Sequence, residues 1–312
     1  RGLDWLVPKQ VLDVRGDWIA RRPDIRPGGW AFQYANPHYP DVDDTAVVAM
    51  AMDREQNLSG RKDYDPALAR AREWIVGMQS QNGAWGAFDA DNEYYYLNNI
   101  PFADHGALLD PPTEDVTARC LSMLAQFGET TASSAVVARG VDYLRRTQLT
   151  EGSWYGRWGM NYIYGTWSVL CALNAVGVAH AAPEMRKAVN WLVAIQNEDG
   201  GWGEDGSSYK LDYHGYERAP STASQTAWAL LGLLAADEVE SDSVARGVAY
   251  LVETQAPDGQ WPEDEFTGTG FPRDFMLKYH LYRNYWPLWA LGRYRRIRAG
   301  TPIHLPGSDP WQ

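Results

Sequence analysis

A chain of 312 residues can bury a sizeable core in one large domain or two small ones. Its apolar share of 45% excludes a disordered or low-complexity polymer, and its net charge of −12 argues against a nucleic-acid surface. Fifteen Trp and eighteen Tyr exceed what packing ordinarily recruits, and many recur at fixed spacing.

The chain begins at Arg1 in an already patterned stretch, which reads as a piece of a longer protein. No signal peptide is visible, and no apolar run approaches the roughly 18 residues that span a bilayer. The first landmark is Trp30 and Phe32, followed by Asp41-Val42-Asp43-Asp44-Thr45-Ala46. Three carboxylates within four residues precede the apolar run Ala46 to Met52, so Asp43 to Met52 is predicted as a helix with its acids at the start. Acids there complement the helix dipole, with Asp41 or Asp43 as the cap. Crowded like charges also raise the pKa of one member, which makes a general acid. Further along, Glu114 to Phe127, Gly165 to Val176, Ser221 to Ala235 and Tyr282 to Ile297 are predicted as helices apolar on more than one face. Cys120 and Cys171 fall inside them and read as reduced core thiols.

Between these lie four copies of one layout: an amphipathic helix, a Gln at its end, a Gly four residues on and a Trp six residues on. The copies carry Gln79, Gly83 and Trp85; Gln148, Gly152 and Trp154; Gln196, Gly200 and Trp202; and Gln255, Gly259 and Trp261. The Gln amide is suited to orphan backbone groups at the helix end and on the next helix. The Gly permits a left-handed turn, and the Trp folds back on that end. This is a structural staple. Buried helices alternating with amphipathic ones predict an all-α fold, an α/α barrel of concentric layers with five inner and four outer helices. Strand signals are weak throughout. A single domain over residues 1–312 is expected, lacking a piece of a six-paired barrel.

The staples, the acid box, the stretch from Tyr155 to Thr166 and Gly268-Thr269-Gly270-Phe271-Pro272-Arg273-Asp274-Phe275 together resemble the squalene–hopene cyclases. The resemblance runs over nearly the whole chain and corresponds to the carboxyl-terminal half of a two-barrel enzyme. It implies that Asp43 is the proton donor and that Asp41 and Asp44 support it. Glu114-Asp115-Val116-Thr117-Ala118-Arg119 matches the segment behind the acid, where some relatives have His in place of Arg119. A permanent cation there would stabilise the conjugate base of Asp43. Whether Arg119 pairs with Asp115 or reaches Asp43 through it is open at this point. Epoxide-opening relatives carry Cys where Asp44 stands, so the full box points to the harder substrate, squalene.

A carbocation needs stabilisation without a strong base nearby, and ring faces supply it. The resemblance places Phe32, Phe271 and Phe275 against successive cations, with Trp158 and Tyr164 shaping the acid end. Trp30, Phe88, Leu277, Tyr279 and Tyr282 would line or bound the cavity, Phe88 standing where some relatives have Tyr. For any one of these rings alone, core packing is the competing reading. Asp89 to Glu93 opens like a calcium loop but has Tyr94 where Gly belongs and Ile100 where a bidentate Glu belongs. No metal and no cofactor are expected. The reaction expected is cyclisation of squalene to hopene, with hopanol as a second product. The alternatives are a cyclase of a shorter isoprenoid and an α/α toroid that only binds apolar ligands. The resemblance further implies a monotopic contact with the cytoplasmic face of a bacterial membrane, and a homodimer.

Overall fold

The computed structural model describes residues 1–33, 35–101, 108–209, 215–272 and 274–300. Its helices are α1 (Gly2–Leu6), α2 (Val42–Ser59), α3 (Asp65–Gly77), α4 (Glu114–Gln126), α5 (Ala135–Thr147), α6 (Tyr162–Ala175), α7 (Pro183–Ile195), α8 (Ala223–Ala235), α9 (Asp242–Thr254) and α10 (Tyr282–Arg298). Burial separates two kinds. All thirteen residues of α8 are buried, whereas α5 buries only Val137, Gly140, Val141, Tyr143 and Leu144 on one stripe.

Packing follows that division. α2 lies on α4, α4 on α6, α6 on α8 and α8 on α10, while α3, α5, α7 and α9 each cover the inner helix before them. The described residues thus form the predicted arrangement of five inner and four outer helices. Several boundaries differ from the sequence reading, α6 beginning at Tyr162 rather than Gly165 and α8 at Ala223 rather than Ser221. α2 continues past Met52 to Ser59, because Asp53 to Asn57 are polar but compatible with a helix, and Gly60 at φ 74° stops it. α10 runs one residue further than expected and contains Pro287.

Small sheets were not foreseen. Antiparallel pairs join β1 (Trp30–Ala31) to β2 (Pro40–Asp41), β3 (Trp202–Glu204) to β4 (Arg218–Thr222), and β5 (Gly268–Phe271) to β6 (Phe275–Leu277). At two to five residues each, they are too short to show a period-two pattern. β2 leads directly into α2 and β4 into α8, so these pairs fix the entries to inner helices.

The staples have one geometry. The indole N–H of Trp85, Trp154, Trp202 and Trp261 donates to the carbonyl of Ile75, Leu144, Leu192 and Leu251, ten residues upstream, at 2.7–2.8 Å. Gln79 Nε2 donates to Gly83 O at 2.8 Å and to Val136 O of the next outer helix at 2.9 Å. Gln148 and Gln196 repeat this with Glu184 O and Ser243 O. Gly83 sits at φ 93°, and a Cβ there would lie 2.6 Å from Arg139 O, so both conformation and space require glycine. A second repeat runs to the inner layer. Thr45, Thr117, Thr166 and Thr226 accept the backbone N–H of Trp30, Trp85, Trp154 and Trp202 at 2.8–3.1 Å. Each tryptophan is therefore fastened to the first turns of the following inner helix.

Candidate active site

The acid box forms the entry of α2. Asp41 is the N-cap: its backbone is extended, and its Oδ1 accepts the Asp44 N–H at 2.9 Å. Val42 N donates to Ala87 O at 2.7 Å, which locks the same turn to the loop before Phe88. Once Asp41 is the cap, helical spacing turns Asp43 and Asp44 away from it. They open on a cleft of about 360 Å³ between α2 and α10. Val47, Met50, Ala51 and Arg54 continue the α2 wall; Tyr282, Tyr285, Trp286 and Trp289 form the facing wall on α10; Arg119 and Tyr164 sit between them.

Arg119 takes neither route that the sequence left open, for it neither pairs with Asp115 nor reaches Asp43 through it but contacts Asp43 directly. Its Nε donates to Asp43 Oδ1 at 2.9 Å and its Nη2 to the Tyr164 hydroxyl at 3.1 Å. Asp115 is held elsewhere. It accepts from the Thr113 hydroxyl at 2.6 Å, from Val116 N at 3.0 Å and from Trp158 N at 2.8 Å. Its contact with the site is thus the backbone of Trp158.

Electrostatics divide the three carboxylates. Burial pushes Asp41 well above the usual carboxylate range, and the charges of Asp44 and Asp43 push it further. Asp44 rises to about 6, chiefly from burial and then from Asp43, with Arg119 opposing. Asp115 is also raised by burial. For Arg119, burial works against the charge, but Asp43 and Tyr164 more than compensate and its pKa rises. Asp41 and Asp44 are thereby biased toward their protonated forms, beside the permanent cation of Arg119. An anion forming on Asp43 would meet a guanidinium already in place.

The aromatic residues fall into three settings. Tyr164 and Tyr282 line the cleft, with Tyr282 stacked on Tyr279 at 4.8 Å and edge-on to Trp286 at 5.8 Å. Phe32 and Phe88 line a separate hollow of about 190 Å³ with Gln33, Asn36 and Tyr39, and Phe88 meets Trp158 edge-on at 6.0 Å. Phe271 and Phe275 are 44% and 54% exposed on the β5–β6 hairpin, their rings 6.4 Å apart, and they line neither space. Leu277 pairs with Gly268 in that hairpin and is half-buried. Trp30 is buried and spends its indole N–H on Leu6 O at 2.8 Å, a packing role.

Several residues of the site were missed. Tyr285, Trp286 and Trp289 repeat at helical spacing after Tyr282, a pattern legible in the sequence. Trp167 lies with its ring 5.8 Å from the Arg119 guanidinium. Asp110 accepts the N–H groups of Ala87, Phe88 and Asp89 at 2.6–3.1 Å and so carries the Phe88 loop; no sequence signal marked it. Around the calcium-like stretch the acids go separate ways: Asp89 accepts from Asn92, Asp91 pairs with Arg22, and Glu93 accepts from Asn82. No helix among the described residues is long and apolar enough to cross a membrane.

Comparison with known proteins bears on this geometry. The family described as squalene-hopene cyclase C-terminal domain matches residues 1–296. A squalene–hopene cyclase of Bradyrhizobium diazoefficiens is 67% identical over 297 residues, covering 95% of this chain and 45% of that protein. Those of Zymomonas mobilis and Alicyclobacillus acidocaldarius are 62% and 51% identical, covering 96% and 94% of this chain and 46% of each relative. The chain spans a little under half the length of the curated relatives it matches. Among solved structures, the type II terpene cyclase MstE from Scytonema has a TM-score of 0.55 at 22% identity, over 82% of this chain and 67% of that one. The ent-copalyl diphosphate synthase from Streptomyces platensis has a TM-score of 0.52 at 20% identity, over 86% and 42%. These two likenesses show the fold.

Proposed function

The chain belongs to the squalene–hopene cyclase C-terminal domain family, and on that premise we propose that the protein cyclises squalene to pentacyclic hopene, with water capture giving hopanol as a second product. The observation that carries this reading is the opening of Asp43 and Asp44 onto an aromatic-walled cleft with Arg119 bound to Asp43. Protonation forms a C–H bond from the π electrons of a terminal alkene and leaves a tertiary carbocation. Successive alkenes attack, each forming a ring bond and moving the charge onward. Loss of a proton at the end gives hopene, an isomer of the substrate; addition of water and loss of its proton gives hopanol. Asp43 is the donor in this reading, Asp41 and Asp44 keep the cluster loaded, and Arg119 stabilises the anion left behind. Asp115 orders the Trp158 backbone.

Asp44 supports the choice of an alkene over an epoxide, because a carbon–carbon double bond is the weaker base and calls for the stronger acid. Tyr164 and Tyr282 supply ring faces at the acid end, and Phe32 and Phe88 supply them further along the substrate. Squalene is insoluble in water, which supports a peripheral contact with the cytoplasmic side of a bacterial membrane. Assembly as a homodimer completes the proposal.

The test is product analysis in the full-length protein, with squalene beside geranylgeranyl diphosphate. Pentacyclic products from squalene, abolished in Asp43→Asn, are the expected result. Cyclisation of the diphosphate alone would favour a shorter-chain cyclase. Unchanged turnover in Asp43→Asn would favour a binding toroid.

A further inference from the structure

Arg119 carries a permanent charge in a position only 7% exposed. Two of its nitrogens are accounted for by Asp43 and Tyr164. The guanidinium also lies over the Trp167 ring, whose centroid is 5.8 Å from Cζ, within the range of a cation–π contact. Trp167 follows Tyr164 by three residues on α6, so one helix face presents both the hydroxyl and the ring to the same side chain.

Trp167 is itself held from three directions. It is fully buried. Tyr164 meets it edge-on at 5.2 Å, Trp228 of α8 lies nearly parallel at 6.1 Å, and Trp286 of α10 meets it edge-on at 4.8 Å. Rings from three inner helices thus fix the surface on which a guanidinium of the fourth rests. A flexible Arg side chain loses much rotamer freedom when it is ordered, and a rigid floor reduces the number of places it can go.

Resting on the reading above, we propose that Trp167 is a positioning residue that acts through Arg119: its ring holds the guanidinium against Asp43, and so sets the strength of the acid without touching substrate. Trp167→Leu removes the ring face while every cleft-lining residue keeps its identity.

The experiment is kinetic, in the full-length protein with squalene, normalised to folded enzyme. Trp167→Leu is expected to lower kcat by roughly thirty-fold, the worth of a desolvated cation–π contact, with KM changed by less than about twofold. Trp167→Phe, which keeps a weaker ring face, should recover most of that loss. In an Arg119→His background, where the guanidinium is gone, Trp167→Leu should cost less than about threefold. Equal losses in the two backgrounds, or an unchanged kcat per folded molecule, would overturn the proposal and leave Trp167 as core packing. If the Leu variant does not fold, the same cycle run with Trp167→Phe carries the decision by the same non-additivity. Asp43→Asn serves as the parallel control. If it turns over normally, the functional reading itself fails; if it is inactive while Trp167 behaves additively, only this inference fails.

Discussion

Arg119 Nε lies 2.9 Å from Asp43 Oδ1, a contact made between α4 and α2 across 76 residues of sequence. In the reaction proposed above, it would join a carboxyl that gives up its proton to a fixed cation for the anion that remains.

That pairing should not tolerate a simple point charge. Lys at position 119 lacks the fork that reaches Asp43 and Tyr164 together. Arg119→Lys is expected to lower kcat at least about tenfold and Arg119→Leu at least about a hundredfold, since removing the counter-charge costs several kcal/mol where the cation itself is buried. Turnover of Arg119→Leu near the parent rate would show that the cation is not needed, and turnover of Arg119→Lys near it would show that the fork is not.

The pH dependence of stability has a defined sign. Asp44 is raised to about 6 by burial first and by Asp43 second. A carboxyl whose folded pKa exceeds its unfolded value contributes stability through its protonated form. That contribution is whole below the unfolded value of 3.8 and is lost as pH rises through about 6. Asp44→Asn should therefore melt at a higher temperature than the parent at about pH 7, the difference shrinking as pH falls to about 4. Thermal scans across that window check it; a parent that gains on the variant as pH rises contradicts it.

The four staples are not equivalent. Gln79 bridges Gly83 O and Val136 O, whereas among the described residues the Gln255 amide bonds only Gly259 O, at an exposed end. Gln79→Ala strips two carbonyls of a buried donor and should cost about 2–3 kcal/mol in denaturant unfolding. Gln255→Ala should cost less than about 1 kcal/mol. Similar costs at the two positions would contradict a bridging role.

Phe88 bears on product fidelity. Its ring lies against Trp158 in the same hollow as Phe32. Phe88→Tyr adds a hydroxyl beside a path proposed for carbocations and should change the ratio of products, read by gas chromatography, while leaving the melting temperature within a few degrees (about 1 kcal/mol) of the parent. An unaltered product profile would place Phe88 outside that path.

What could be read from the sequence was local. Gln, Gly and Trp at constant offsets specify a helix end, a left-handed turn and a return contact within ten residues, and all four staples close as that spacing requires. The acid box likewise identified a helix entry, because capping involves only Asp41 and the turn that follows it. Apolar faces distinguished inner from outer helices for the same reason. The threonine repeat was equally available in Asp44-Thr45-Ala46, Val116-Thr117-Ala118 and Gln225-Thr226-Ala227, but its partners lie in preceding loops and only the fold identifies them.

Partner choice between helices was decided by tertiary structure. Asp115 stands four residues before Arg119 on one helix, an obvious mate by spacing, yet it caps the Trp158 backbone while Arg119 crosses to Asp43. Phe271 and Phe275 carry the composition of a cavity wall and are half exposed on a hairpin. A sequence sets the order of side chains around a helix, but the rotation of each helix about its own axis follows from how the whole core packs. Contacts across 76 residues depend on that rotation, and no local pattern encodes it.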